Sequence, residues 1–218
     1  MTLAALDRQA RAVGLAVRGA VRDPKDAPDG TQTLVLLGPD EPGFWSMFSD
    51  SAEYSDGAPD PLDRWSKRVG GGLAQTWGGT AIFPSDGPPY PPFLGWAAAS
   101  GAAFLSPVGL LVHSDAGLLI SYRCAIALPE RLDLPPAPEN PCDTCADKPC
   151  LTACPIGALG PDRAYDVPAC QAYLRSDAGA PHTQTGCNVR NACPRSAGMQ
   201  RPARQSAFHM AAFLGTRL

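Results

Sequence analysis

Four cysteines lie close together in the stretch PCDTCADKPCLTACP, which covers residues 141–155. They are Cys142, Cys145, Cys150 and Cys154, and a proline follows the last of them. Closely spaced cysteines that end in Cys-Pro are typical of cubane iron–sulfur ligation. Thiolates are the ligands that such clusters prefer, and short loops aim successive sulfurs at neighbouring metal atoms. The stretch therefore predicts an iron–sulfur site.

Three further cysteines follow, and together with the run they divide into two sets. In two-cluster ferredoxins the fourth cysteine of the run serves the other cluster. The same division here gives a first set of Cys142, Cys145, Cys150 and Cys193 and a second set of Cys154, Cys170 and Cys187. The second set is one ligand short, and the alternatives are Cys124, a non-cysteine ligand, an open iron, or no second cluster. Four residues, not two, separate Cys145 from Cys150, which predicts a wider first loop.

A zinc site and disulfides are the alternatives to iron–sulfur ligation. Zinc motifs usually come as two separated pairs that close one tetrahedral site, whereas seven cysteines lie between residues 142 and 193. Disulfides need an oxidising compartment. The amino-terminal residues MTLAALDRQARAVG carry Asp7, Arg8 and Arg11 where a secretory signal has its apolar core. We therefore expect a cytoplasmic protein with free thiolates.

Composition argues against two classes of partner. The formal charge is −3 and no block of the sequence is rich in Lys and Arg, so the chain lacks the basic surface of a nucleic-acid binder. No apolar run approaches the roughly eighteen residues that a membrane-spanning helix needs. We expect no nucleic acid and no membrane, and small molecules or proteins as partners.

The first half of the chain predicts a mixture of helices and strands. Thr2 is a candidate cap for an initial helix, and strands are expected at residues 15–21 and 33–37. The second of these, TLVLL, predicts a buried strand. Residues 38–60 are rich in Asp, Pro, Gly and Ser, which predicts a long loop anchored by aromatic side chains.

A longer helix is expected to begin at Pro61 with Asp60 as its cap. Its glycines at positions 70–72 indicate either close packing or a break. Further expected elements are a short strand after Gly79, a helix around residues 93–100, strands at 109–113 and 118–128, and a helix at 201–214. Cys124 within the second of these later strands is either a small buried apolar residue or a ligand.

A proline-rich connector at residues 129–141 marks the clearest boundary in the chain. The predicted domains are residues 1–136 and residues 137–218. The first is an α+β domain, and the second is the cysteine module.

Four stretches of the chain resemble a known family. They are GWAAASGAAFLSPVGLLVHSDAGLLISYRCAIAL, CDTCADKPCLTACPIGAL, YDVPACQAYL and GCNVRNACP. In this order they resemble the epoxyqueuosine reductases and the related reductive dehalogenases. The resemblance implies a nitroreductase-like α+β domain of the cobalamin-reductase type, followed by a ferredoxin-like module whose [4Fe-4S] clusters feed electrons to bound cobalamin. It also suggests kinship with the reductases that process vitamin B12.

Three departures from the family limit what the resemblance implies. Epoxyqueuosine reductases have a further cysteine between the positions of Cys187 and Cys193, where this chain has Arg190 nearest to the place. They also carry a tRNA-binding helical repeat domain, for which the short stretch after Cys193 leaves no room. Dehalogenases have an export signal, whereas the first residues of this chain are not expected to form one. The sequence therefore predicts the cofactor architecture without a tRNA or organohalide substrate.

The resemblance also implies residues for the cobalamin domain. By its distance before the glycine matched to Gly101, the proton-donating aspartate of the family falls close to Asp86. A reductase driven by a reduced corrin needs an acid, and a carboxyl whose pKa is raised by burial can serve as one. The alternative role of Asp86 is that of a turn residue in DGPP. Tyr90, Tyr122 and Arg123 are expected to line the same cavity. His113, the sole histidine before the connector, is either a cofactor contact or a structural hydrogen-bonding residue.

The predicted function is that of an iron–sulfur oxidoreductase which passes electrons from one or two [4Fe-4S] clusters to cobalamin. Its electron donor is expected to be a protein of the flavodoxin or ferredoxin-reductase type. One alternative is a ferredoxin-type electron carrier without an organic cofactor. The other alternative is a zinc-stabilised interaction module.

Overall fold

The structure, a computed structural model, describes residues 1–161 and 163–216. The chain forms two compact units. The first contains Met1–Ala103 and Ser121–Pro138, and the second contains Phe104–Ile120 and the chain from Glu139 onward. The division between Pro138 and Glu139 lies two residues after the predicted boundary between residues 136 and 137. Residues 104–120, which were predicted to lie in the first domain, pack instead with the cysteine segment.

The fold is α+β, as the sequence predicts. The strands are β1 (Leu15–Arg22), β2 (Thr33–Pro39), β3 (Thr80–Ile82), β4 (Ala103–Leu105), β5 (Leu111–His113) and β6 (Cys124–Leu128). The α-helices are α1 (Leu3–Arg11), α2 (Phe44–Ser49), α3 (Ala52–Ser55), α4 (Pro61–Trp77), α5 (Phe93–Ala99), α6 (Val167–Leu174), α7 (Ala180–Thr185), α8 (Asn188–Ala192), α9 (Pro194–Ala197) and α10 (Ala203–Leu214). Within the described ranges, no helix is long and apolar enough to cross a membrane.

The first unit is built on an antiparallel sheet of four strands in the order β1-β2-β6-β3. Its two central strands pair Thr33 with Leu128 and Leu37 with Cys124. Every residue of β2 and β6 is buried. Helix α4 packs against β6 and β3, while α1 and α5 pack against β1. Strands that are covered on both faces carry unbroken apolar runs, so the prediction of a buried strand at TLVLL is confirmed.

Helix α4 continues unbroken through its three glycines. A Cβ at Gly70 would lie 2.8 Å from Sγ of Cys124, so glycine at this position lets the helix approach the sheet closely. A Cβ at Gly71 or Gly72 would meet no atom of the described residues within 4 Å. The prediction of close packing is therefore confirmed at Gly70, and the alternative prediction of a helix break is wrong.

Two local predictions for the first unit are wrong. Residues 38–60 contain the short helices α2 and α3, because aromatic side chains of α2 find partners on α4: the ring of Phe44 lies 5.4 Å, edge to face, from that of Trp65. Asp60 precedes α4 as predicted but makes no capping hydrogen bond to the described residues, and its backbone is left-handed with φ 51°. The arrangement of aromatic rings was not visible in the spacing of the sequence.

The second unit opens with the hairpin of β4 and β5. Its turn is closed by the Gly109 amide, which donates to the Ser106 carbonyl at 3.0 Å, and by the Ser106 amide, which donates to the Leu110 carbonyl at 2.9 Å. Gly109 has φ +75°, the left-handed conformation that a three-residue hairpin loop requires at this position. We call residues 104–120 the hairpin segment. Three of its apolar residues, Val108, Val112 and Leu118, share one buried core with Cys150, Leu159, Val189 and Cys193. This shared core is why the segment belongs to the cysteine unit.

The predicted strand at residues 118–128 is only partly correct, since β6 begins at Cys124. The start of the predicted stretch is bound by side chains instead of a neighbouring strand, while the Arg123 amide just before β6 donates to the Leu37 carbonyl of β2 at 2.8 Å. The Leu118 amide donates to Oγ of Ser196 at 3.1 Å, and Arg201 donates to the Leu119 carbonyl at 2.8 Å. The polar groups that a sheet would pair are therefore satisfied within the second unit.

Candidate metal centre

Four thiols line one cavity in the second unit. They belong to Cys142, Cys145, Cys150 and Cys193, and the cavity has a volume of about 330 Å³. The first three come from the local run, whereas Cys193 comes from the junction of α8 and α9. This is the first set that the sequence predicts. The structure brings its four members together, while the binding of a metal to them stays a prediction.

Local backbone features position these four cysteines. The Cys142 amide donates to Oδ1 of Asn140 at 3.0 Å, which fixes the start of the run. Lys148 has φ 39°, and this left-handed residue redirects the chain into a 3-10 turn at Pro149–Leu151 that carries Cys150. Cys193 has extended backbone between two helices, because the following Pro194 begins α9.

The wider loop that the sequence predicts between Cys145 and Cys150 forms part of the cavity wall. All four of its residues, from Ala146 to Pro149, line the cavity. On another side the wall is supplied by the hairpin segment through Ser106, Pro107, Val112 and Leu118. The thiols therefore lie beside apolar side chains on this side of the cavity.

Burial and mutual proximity raise the pKa of two thiols of the first set. Burial raises the pKa of Cys142, and charge on Cys150, Cys193 and Cys145 raises it further. Burial likewise raises the pKa of Cys150, and charge on Cys193 and Cys145 adds to the effect. Thiols in this state carry protons near neutral pH, so metal binding must displace protons.

The second set also lies together. Burial raises the pKa of Cys170, and charge on Cys187 and Cys154 raises it further, while a hydrogen bond with Tyr165 lowers it. Cys170 lies on α6, Cys187 directly precedes α8, and Cys154 follows the 3-10 turn. The structure therefore places Cys154 beside a downstream cysteine, in the grouping that the sequence predicts.

Tyr165 and Arg190 accompany the second set. The Tyr165 hydroxyl lies beside the Cys170 thiol, and its ring stacks on Phe213 with 6.3 Å between the ring centres. Arg190 lies on α8 and donates to the Leu118 carbonyl. Burial lowers the pKa of Arg190, and charge on Cys187 opposes that shift. The second set thus combines three thiols with a phenol and a half-buried cation.

Across residues 1–161 and 163–216, no group of three or more His, Cys, Asp or Glu side chains is positioned to hold a single metal ion. A single zinc ion would need sulfurs at about 2.3 Å from one central point. The four thiols of the first set instead surround a larger space. A cubane cluster places its four thiolates on four different irons, and this arrangement suits it.

Cys124 lies in the core of the first unit. It is fully buried, and burial raises its pKa to about 12. Its sulfur packs against Gly70 of α4. Of the two roles predicted for Cys124, the structure therefore supports the small buried apolar residue.

Asp86 and Tyr90 lie at the surface of the first unit. The Asp86 carboxylate accepts the Phe83 amide at 2.9 Å and pairs with Lys67 at 3.0 Å, with 39% of the side chain exposed. The expected acid required a buried carboxyl, and this geometry matches the alternative role in a turn. Tyr90 is 66% exposed.

The other three residues predicted for cobalamin are divided between the two units. Tyr122 is buried beside Phe93, at 6.4 Å between ring centres, and burial raises its pKa. The Arg123 guanidinium donates to the Tyr122 carbonyl. His113 belongs to the second unit, where its Nδ1 accepts the amides of Asp115 and Ala116. The cobalamin site that the resemblance implies stays a prediction.

Sequence reasoning missed Ser106, Tyr165 and Arg190 as neighbours of the cysteines. The turn sequence Ser-Pro-Val-Gly predicts a hairpin at Ser106, but no local pattern indicates that this hairpin meets the cysteine run. Tyr165 precedes Cys170 by less than two helical turns, which is the one signal that pointed to their contact.

Comparison of this chain with family models, curated proteins and solved structures found no match. The functional argument therefore depends on the cysteine geometry.

Proposed function

We propose that this chain is an iron–sulfur electron-transfer protein in which Cys142, Cys145, Cys150 and Cys193 ligate a [4Fe-4S] cluster. The observation that carries the proposal is that these four thiols line one cavity although Cys193 is distant in sequence. A local run completed by one remote cysteine is the ligand pattern of two-cluster ferredoxins. A bound [4Fe-4S] cluster supplies one-electron redox chemistry at such a site.

The residues around the thiols support this role. Val112 and Leu118 present apolar surface to the cavity and exclude water. Lys148 also lines the cavity, and its charge favours the thiolate form of Cys142. An apolar wall with a nearby cation is favourable for an anionic cluster, because exposure and net charge help to set its reduction potential.

The proposal includes a second cluster at Cys154, Cys170 and Cys187. Tyr165 is a non-cysteine group that lies beside Cys170 of this set. The proximity of Cys154 to Cys170 supports a second centre. The finer fold assignment, a nitroreductase-like first unit and a ferredoxin-like second unit, belongs to the same proposal, as does an electron donor of the flavodoxin or ferredoxin-reductase type.

Cobalamin as the electron acceptor stays a prediction that depends on the family resemblance. We derive no step through it. Its test is to add cobalamin to the cluster-loaded protein and to follow the absorption spectrum and co-elution on gel filtration. If the spectrum does not change and cobalamin does not co-elute with the protein, cobalamin is removed from the proposal, while the proposed clusters are unaffected.

The deciding experiment is the content of iron, zinc and acid-labile sulfide per chain in protein purified without oxygen. About eight irons with matching sulfide would support two clusters, and about four would support the first cluster alone. Zinc without sulfide would overturn the proposal and favour a zinc-stabilised interaction module.

A further inference from the structure

The four thiols of the first set differ in how the protein holds them. Cys150 and Cys193 are buried, with 7% and 9% of each residue exposed, and both belong to the core of the second unit. Cys142 is half-buried and packs against the same core. Cys145 is also half-buried, but it is not one of the described residues that pack on this core. Three ligands of the first set are therefore fixed by the core, whereas the fourth is carried by a loop.

The loop that carries Cys145 has little support from the backbone. Among the described residues, residues 144–147 take part in no hydrogen bond between backbone groups. The last such bond before the loop is donated by the Asp143 amide, and the next after it is accepted by the Lys148 carbonyl. Every residue of this stretch except Cys145 itself is exposed. Segments with few buried contacts and few hydrogen bonds open at a low cost in free energy.

The same loop forms part of the cavity wall. Residues 144–147 all line the four-cysteine cavity. Charge on Cys145 acts on the thiols of Cys142 and Cys150, so its sulfur lies near theirs. A stretch that lines the cavity and is also exposed to solvent is an outer wall of the site. An iron bound to Cys145 would therefore occupy the corner of the cluster that is nearest to this wall.

We propose that the iron bound by Cys145 is exchangeable: oxidation of the first cluster releases this iron and leaves a [3Fe-4S] cluster on Cys142, Cys150 and Cys193. This inference rests on the proposed function. The core holds the three remaining ligands in place when the loop opens. The first set is thus a redox-controlled switch between a four-iron and a three-iron state.

The step balances with a one-electron oxidant such as ferricyanide. The [4Fe-4S]2+ cluster gives one electron to the oxidant and one Fe2+ to solvent, and [3Fe-4S]+ remains. The bonds from the departing iron to Cys145 and to the cluster sulfides break, and each sulfur keeps the electron pair of its bond. The Cys145 thiolate is then free to take a proton from water. A one-electron reductant and Fe2+ reverse the step.

The test on the wild-type protein treats anaerobically purified material with ferricyanide and then with iodoacetamide, which alkylates free thiolates. Release of about one Fe2+ from the first cluster is expected, together with the EPR signal of an oxidised three-iron cluster. Mass spectrometry is expected to find alkylation at Cys145 before Cys142, Cys150 and Cys193. The control omits ferricyanide, and Cys145 should then stay protected by its iron.

Two results would overturn the inference while leaving the proposed function intact. One is alkylation of all four thiols of the first set at the same rate, with complete loss of the cluster. The other is alkylation of Cys142, Cys150 or Cys193 before Cys145. Absence of iron and sulfide in the untreated wild-type protein would instead overturn the proposed function.

Variants assign the EPR signal, because the second set would give a similar signal if it lost an iron. Cys187→Ala removes that cluster and provides the background. In this background Cys145→Ala is expected to retain about three irons, whereas Cys193→Ala is expected to retain almost none, because Cys193 belongs to the core. Equal iron contents in the two double variants would reject the inference. If either double variant does not fold, the labelling of the wild-type protein decides.

Discussion

The sulfur of Cys124 lies against Gly70, so closely that a methyl group at position 70 would stand 2.8 Å from it. The contact joins β6 at the centre of the sheet to the helix that covers it. It explains both the glycine and the cysteine as packing residues of the first unit.

Gly70→Ala is expected to destabilise the protein by about 1–3 kcal/mol, because the added methyl meets atoms that have no room to move. Gly72→Ala is the matched control on the same helix. Its methyl meets open space, and alanine is expected to stabilise the helix by about 0.5–1 kcal/mol. Urea unfolding of both variants measures the two effects. Equal stabilisation by both substitutions would contradict the close packing of α4 on Cys124.

Single cysteine substitutions are expected to separate the two proposed clusters. Cys193→Ala should lose roughly half of the iron, and Cys187→Ala should lose the other half, because the two residues belong to different sets. Cys124→Ala should keep all of the iron, because Cys124 lies in the core of the first unit. Iron and acid-labile sulfide assays on anaerobically purified protein give the result. Loss of the same cluster in Cys193→Ala and Cys187→Ala would speak against the division.

Cluster assembly is expected to improve as the pH rises. Burial raises the pKa of Cys142 and Cys150 above that of an ordinary thiol, so these groups are protonated at neutral pH and must lose protons to bind metal. Reconstitution with iron and sulfide should therefore reach higher occupancy at about pH 9 than at about pH 7. Occupancy that is constant or falls over this range would show that deprotonation of the thiols does not limit binding.

Glu53 is expected to contribute to stability at neutral pH and to lose this contribution in acid. Hydrogen bonds from Arg68 lower the pKa of Glu53 to about 2. A lowered carboxyl pKa stabilises the fold above the unfolded value of about 4.3, and the effect disappears as the pH falls from there toward 2. Arg68 is 59% exposed, so water screens the pair and we expect about 1 kcal/mol.

The variant Glu53→Gln measures this contribution. The unfolding free energy of the variant should fall below that of the wild type at pH 7 and approach it in acid. Glu139→Gln, in the exposed connector, is the control and should have little effect at either pH. A deficit that persists unchanged into acid would mean that Glu53 acts through packing and not through its charge.

Sequence patterns predicted elements whose cause is local or periodic. The buried strand at residues 33–37, the helix from Pro61 and the helix capped by Thr2 all appear, because apolar spacing and capping chemistry act within a few residues. The grouping of the cysteines was predicted as well, since the Cys-Pro run has its own ligand order. These are features that a short window of sequence contains.

The missed features depend on contacts between distant residues. The loop predicted at residues 38–60 became helical through ring contacts with Trp65. The strand predicted at residues 118–128 begins only at Cys124, because Ser196 and Arg201 bind the backbone of Leu118 and Leu119. Ser106 reaches the cysteine cavity only through the association of its hairpin with Val189 and Cys193. No spacing within the chain encodes such meetings.

The return of the chain to the first unit after residue 120 has a consequence for synthesis on the ribosome. The hairpin segment emerges before the cysteine run, and Cys193 emerges long after both. In the folded chain, Val112 and Leu118 are covered by residues of the cysteine segment such as Cys150 and Val189. The wall of the four-cysteine cavity can be complete only after the α8–α9 junction has been synthesised. A fragment that starts at the connector would lack one wall of the site.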